Sequence, residues 1–100
     1  MNITKNSDGS NLTIIVEGKL DANTSSGFLQ DVSNDLEGIN NLIIDFEPLV
    51  YISSAGLRAI LSLVKIMNDK GSIKLINVSN TVYSIFEVTG FVDIVEIECK

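Results

Sequence analysis

The sequence predicts an α/β domain on a mixed, mostly parallel sheet of about five strands, and three observations carry that prediction. Apolar and polar residues alternate with a period of two over Asn11 to Glu17, the pattern of a half-buried strand. Two short apolar runs, Leu42 to Phe46 and Ile73 to Val78, are separated by a longer segment of helical period. Hydroxyl or amide caps and glycine stops punctuate the chain where helices should begin and end. The resulting order is β-β-α-β-α-β-α-β. Strands joined through helices require right-handed crossovers and parallel pairing, and the initial hairpin adds one antiparallel pair. One hundred residues, 45% of them hydrophobic, are enough for one core, so residues 1–100 are expected to form a single domain.

Each element follows from its residues. Asp8-Gly9 is a hairpin-type turn that folds a short strand around Ile3 back on Asn11–Glu17. Gly18 is expected to end that strand, and Leu20 to Thr24 leads into a helix capped by Asn23 or Thr24. Phe28, Leu29, Val32 and Leu36 form the apolar stripe of this helix, with Gln30, Asp31, Asn34 and Asp35 as a solvated face. Gly38 breaks it. Leu42–Phe46 is apolar enough for a central strand covered on both faces, and Pro48 stops it. Val50-Tyr51-Ile52 is left without an element. Ser53 caps a long helix that runs through Met67 and closes at Lys70-Gly71. Ser79 caps a third helix with Val82, Ile85, Phe86 and Thr89 on one face and Gly90 as its left-handed stop. Val95, Ile97 and Cys99 alternate with Glu96 and Glu98 as a charged edge strand.

Composition excludes much chemistry. Thirteen acids against seven bases leave a net charge of −6, which repels nucleic-acid backbones and anionic membranes. There is no histidine, so the commonest acid–base group and metal ligand are missing, and Cys99 is the single cysteine. Neither a Gly-x-Gly-x-x-Gly nor a Walker phosphate loop occurs. A serine nucleophile would have no histidine base. No metal, no cofactor, no nucleic acid, no membrane insertion and no catalysis are therefore expected. The polar start, Asn2 to Asn11, contains no apolar signal run, so a cytoplasmic location is expected.

Functional groups in α/β sheets collect where strands end and helices begin. Two corners stand out, Gly18 to Thr24 and Tyr51 to Arg58. With Ser53 as cap, Ser54 is the first helical residue, exposed at the positive end of the helix dipole. Gly56 costs about 1 kcal/mol against alanine inside a helix, and its missing side chain allows a backbone or a nucleotide to approach. Arg58, the only arginine, stands one turn from Ser54 on the same face. Arg58, Ser62, Lys65 and Asp69 make one narrow polar stripe, so most of this helix must meet a neighbouring helix or a partner. A phosphate on Ser54 would lie within reach of the Arg58 guanidinium.

These residues resemble a known family. Leu42-Ile43-Ile44-Asp45-Phe46 followed by Val50-Tyr51-Ile52-Ser53-Ser54-Ala55-Gly56-Leu57 is similar to the signature of the STAS domain. That family holds bacterial anti-sigma factor antagonists and the cytoplasmic domains of sulfate transporters. Gly18-Lys19-Leu20-Asp21 with Thr24 resembles its earlier corner, and Leu75–Val78 and Ile85–Phe91 resemble its C-terminal segments. The resemblance implies helices packed mainly on one sheet face. It also implies a partner-switching antagonist that binds an anti-sigma factor, itself a serine kinase, when unphosphorylated. Phosphorylation falls on Ser54 and releases the partner, and a metal-dependent serine phosphatase restores binding. Asp21, Thr24, Ser53, Gly56, Leu57 and Arg58, at the two corners on one end of the sheet, are the expected partner-binding residues. This chain departs from the family pattern at Ser53, usually aspartate, at Ala55, usually serine or threonine, and at Arg58, frequently glycine. The alternative function is an accessory subunit that binds its partner constitutively, for example in a membrane transport complex.

Overall fold

A computed structural model describes residues 1–100. Strand β1 (Asn2–Asp8) pairs antiparallel with β2 (Asn11–Leu20), with Asp8 opposite Asn11 at the turn. Helix α1 (Ser25–Ser33) leads to β3 (Asn41–Asp45) and β4 (Leu49–Ile52). Helix α2 (Ser54–Asn68), β5 (Ser72–Val78), α3 (Asn80–Val88), a 3-10 turn (Phe91–Asp93) and β6 (Glu96–Cys99) complete the chain. The sheet has six strands in the order β1-β2-β3-β5-β6, with β4 joined to β2, and every pairing except β1–β2 is parallel.

The steps from β2 to β3, β3 to β5 and β5 to β6 all go the same way across the sheet. Right-handed crossovers in one direction place α1, α2 and α3 on a single face. Leu12, Ile14, Leu42, Ile44, Ile73 and Leu75 point to that face and are buried. Their neighbours Thr13, Ile15, Ile43, Lys74 and Ile76 are only half-buried on the other. The expectation that Leu42–Phe46 is covered on both faces is thus corrected, because an apolar run does not say where the crossovers lie. Phe46, Phe86 and Phe91 hold α3 and the 3-10 turn to the core, with ring centroids 6.2 and 5.4 Å apart.

Two further differences concern the sheet edge. Gly18 does not end β2; it sits at φ +98°, where pairing shifts register, and the strand runs on to Leu20. β2 thereby leaves β3 and takes up β4, the sixth strand, through Leu49, Tyr51 and Ile52. β4 escapes a periodicity search because Val50 and Tyr51 are both exposed between buried Leu49 and Ile52.

Two lysines on strands each bridge a pair of carboxylates. Lys5 bridges Asp31 and Asp35 at 2.6 and 2.5 Å, tying β1 to α1 and to the turn that follows it, and Lys74 bridges Glu96 and Glu98 at 3.2 and 2.5 Å. Hydrogen bonds donated to Asp31, then to Asp35, hold the Lys5 ammonium above its ordinary pKa, and those to Glu98, then Glu96, do the same for Lys74.

Candidate functional site

The two unusual corners meet at Leu20. Its carbonyl accepts from the Ser53 backbone N–H at 2.9 Å, so the end of β2 is stitched to the start of α2. Ser53 enters in extended backbone, φ −101° and ψ 177°, and its hydroxyl accepts from the Gly56 N–H at 3.3 Å. It is an N-cap in position and bonding. Ser54 follows as the first helical residue, exposed, with its hydroxyl unbonded to the rest of the chain. No acid stands in the first turn, so no carboxylate offsets the positive end of the helix dipole there.

Gly56 is buried, and what it admits is backbone. A Cβ at this position would lie 2.5 Å from the Leu20 carbonyl oxygen and 2.8 Å from Ile52 Cγ1. The space that could have suited a nucleotide is filled by β2. Leu57 is 9% exposed, its side chain directed mainly into the core. Of the residues at this corner, these two set its shape, while the expected phosphorylation site Ser54 and the expected partner-binding residue Arg58 are exposed to solvent.

Asp21 and Thr24 shape the first corner. The Asp21 carboxylate accepts from the Asn23 N–H at 2.9 Å and the Thr24 hydroxyl at 3.3 Å. Thr24 occupies the N-cap position of α1 without capping it. Its hydroxyl instead accepts from the Asp21 N–H and contacts the Lys19 carbonyl, each at 2.9 Å, and the Ser25 hydroxyl donates to the Asp21 carbonyl. The corner is thus a closed set of local hydrogen bonds with Asp21 and Thr24 half-buried.

Arg58 is exposed with no carboxylate within 4.0 Å, and stands between two shallow cavities. One, of about 230 Å³, lies between α1 and α2 and is lined by Ala22, Ser26, Leu29, Ala55, Arg58 and Ser62 among others. The other, of about 210 Å³, is lined by Ser54, Leu57, Arg58, Leu61, Thr89 and Phe91. Thr89 and Phe91 join the site from α3 and the 3-10 turn. The sequence reading placed Thr89 on the apolar stripe of α3, but it is exposed, its hydroxyl donating to the Ile85 carbonyl at 2.7 Å. A polar residue in an apolar stripe, next to the left-handed Gly90, is the signal that marks it.

A model of the STAS domain matches residues 2–100. The chain belongs to the STAS domain family. Among curated proteins it is 33% identical over 104 residues to the anti-sigma-B factor antagonist of Listeria monocytogenes, covering 98% of this chain and 90% of that protein. The STAS fold is shared with a crystal structure of an anti-sigma factor antagonist from Mycobacterium paratuberculosis, at 13% identity, TM-score 0.89, and coverage of 99% and 86%. It is also shared with the Bacillus cell fate determinant SpoIIAA in its phosphorylated form, at 19% identity, TM-score 0.76, and coverage of 96% and 90%. No helix of this STAS chain is long and apolar enough to cross a membrane.

Proposed function

We propose that the protein is an anti-sigma factor antagonist that switches partners through phosphorylation of Ser54. In the unmodified state it binds an anti-sigma factor that is also a serine kinase; the kinase transfers a phosphoryl group from ATP to the Ser54 hydroxyl, the complex dissociates, and a serine phosphatase hydrolyses the phosphoester. The protein acts by binding and as a substrate, not as a catalyst, in the cytoplasm where sigma factors work. Its relatives named as anti-sigma factor antagonists support the role, and one observation carries the assignment to Ser54. Of two adjacent serines, Ser53 is engaged as the helix cap, whereas Ser54 is exposed with a free hydroxyl.

The physics of such a switch suits this corner. A phosphate adds about −1.5 to −2 charges, and N–H groups and the dipole at a helix start tolerate it, so the domain stays folded. A partner fitted to a neutral hydroxyl loses a desolvated contact. A loss of about 2–4 kcal/mol weakens binding roughly thirtyfold to a thousandfold. Titration of the purified anti-sigma factor with wild-type protein, Ser54→Ala and Ser54→Asp tests the proposal. Ser54→Ala should bind and resist phosphorylation, and Ser54→Asp should bind at least tenfold more weakly. Equal binding by all three would instead identify a constitutive accessory subunit.

A further inference from the structure

An exposed ridge of α2 continues from Ser54 along the helix. With 3.6 residues per turn, Ser54, Arg58, Leu61, Ser62, Lys65 and Asn68 share one side of α2, opposite its buried residues Gly56, Ile60, Leu63, Val64 and Met67. From Ser54 to Lys65 this ridge is about 16 Å long at 1.5 Å per residue. All 15 residues of α2 contain two charges, Arg58 and Lys65, both basic, in a protein of net charge −6.

Neither cation is neutralised. Lys5, Lys74 and Lys100 each have a carboxylate within 4.0 Å, whereas Arg58 and Lys65, like Lys19 and Lys70, have none. Asp69, one turn beyond Lys65 at the C-cap, forms no ion pair with it. Apolar surface accompanies the charge. Leu61 is half-buried on the ridge, Ile66 is 37% exposed beside it, and the two cavities flank it on either side. A stable protein interface takes about 20–30 residues a side, more than the Ser54 corner supplies. The ridge is the continuous surface next to that corner.

We infer that the α2 ridge receives an acidic surface of the partner protein, carboxylates meeting Arg58 and Lys65 while apolar side chains enter the flanking cavities. The inference rests on the partner-switching reading and deepens it by stating the partner's chemistry. It also explains release: phosphate on Ser54 adds negative charge at the head of a ridge already facing carboxylates, so repulsion joins the lost contact.

Lys65 provides the test, because it is about 16 Å from Ser54 and outside the modified corner. Affinity for the purified anti-sigma factor is measured for wild type, Lys65→Glu, Lys65→Gln and Lys70→Glu, the last an equal charge reversal just beyond the end of α2. Circular dichroism confirms each fold. The expected result is about tenfold or greater loss for Lys65→Glu, a smaller loss for Lys65→Gln and less than about threefold for Lys70→Glu. Wild-type affinity in both Lys65 variants, with Ser54→Asp still releasing the partner, overturns the acidic ridge and leaves the partner switch standing. Absence of binding by wild-type protein overturns both.

Discussion

Gly56 packs directly on the Leu20 carbonyl, so the start of α2 and the end of β2 are held at backbone contact distance. Alanine at position 56 places a methyl group 2.5 Å from that oxygen and forces the two corners apart. Gly56→Ala should therefore destabilise the protein by about 2–3 kcal/mol, despite alanine's better helix propensity. Gly27 in α1 supplies the contrast, since a Cβ there meets nothing within 4 Å. Gly27→Ala should stabilise by about 0.5–1 kcal/mol. Urea denaturation of both variants measures the difference, and equal signs would refute the packing argument.

The two serines should separate cleanly. Ser53→Ala removes the acceptor for the Gly56 N–H and should cost about 1 kcal/mol, whereas Ser54→Ala should stay within about 0.5 kcal/mol of wild type. Ser53→Asp keeps a cap acceptor and should retain stability. After incubation with the kinase and ATP, peptide mass spectrometry should place phosphate on Ser54. Phosphate found mainly on Ser53 would show that the cap is released for modification.

Asp21 requires a substitution that parts charge from hydrogen bonding. Its carboxylate accepts from the Asn23 N–H and the Thr24 hydroxyl, so Asp21→Ala should cost about 1 kcal/mol through the corner alone. Asp21→Asn retains an acceptor for both. Weaker partner binding by a thermally normal Asp21→Asn protein would assign the charge to recognition. Normal binding would leave Asp21 as a shaper of the turn.

The order of helices and strands was legible because local patterns determine it: the Ser53 and Ser79 caps, the Gly90 stop at φ +82° and the charged edge Glu96–Cys99 all stand as expected. Non-local relations were not legible. β4 exists because Gly18 takes a left-handed turn and lets β2 change neighbours, a pairing that four residues with exposed Val50 and Tyr51 do not announce. Leu36 is buried as its stripe suggests, but α1 stops at Ser33 and Leu36 packs from the turn beyond it. At the site, Ser54's exposure followed from the cap, whereas the cavity shared with Thr89 and Phe91 depends on how α3 lies against α2.

Lys5 sets a pH dependence whose sign is determined. Its ammonium is raised above 10.5 by Asp31, then Asp35, so the stabilisation is complete below 10.5 and is lost as pH climbs through the raised value. Lys5→Met should lower stability by about 1 kcal/mol at neutral pH, as the pairs are partly exposed. The gap between variant and wild type should narrow progressively above 10.5. Thermal melts across the alkaline range measure it, and a gap independent of pH would mean that the lysine stem, not its charge, holds β1 to α1.

Arg58 should respond to the state of Ser54. It lies one helical turn from the Ser54 hydroxyl, lines the same cavity and has no carboxylate partner, so its guanidinium is free to swing to a phosphate there. In the unmodified protein the same group is free to meet the partner. Phosphorylation then places negative charge at the interface and withdraws a cation from it in one step. The intramolecular pair, solvent-exposed, should stabilise the phosphorylated form by up to about 1 kcal/mol. A double-mutant cycle compares wild type and Arg58→Gln, each phosphorylated and unphosphorylated, by thermal stability and by partner affinity. Coupling requires that the arginine stabilise the phosphorylated form more than the unmodified one, and that its removal weaken partner binding chiefly in the unmodified state. If removal shifts both forms equally, Arg58 does not sense the phosphate.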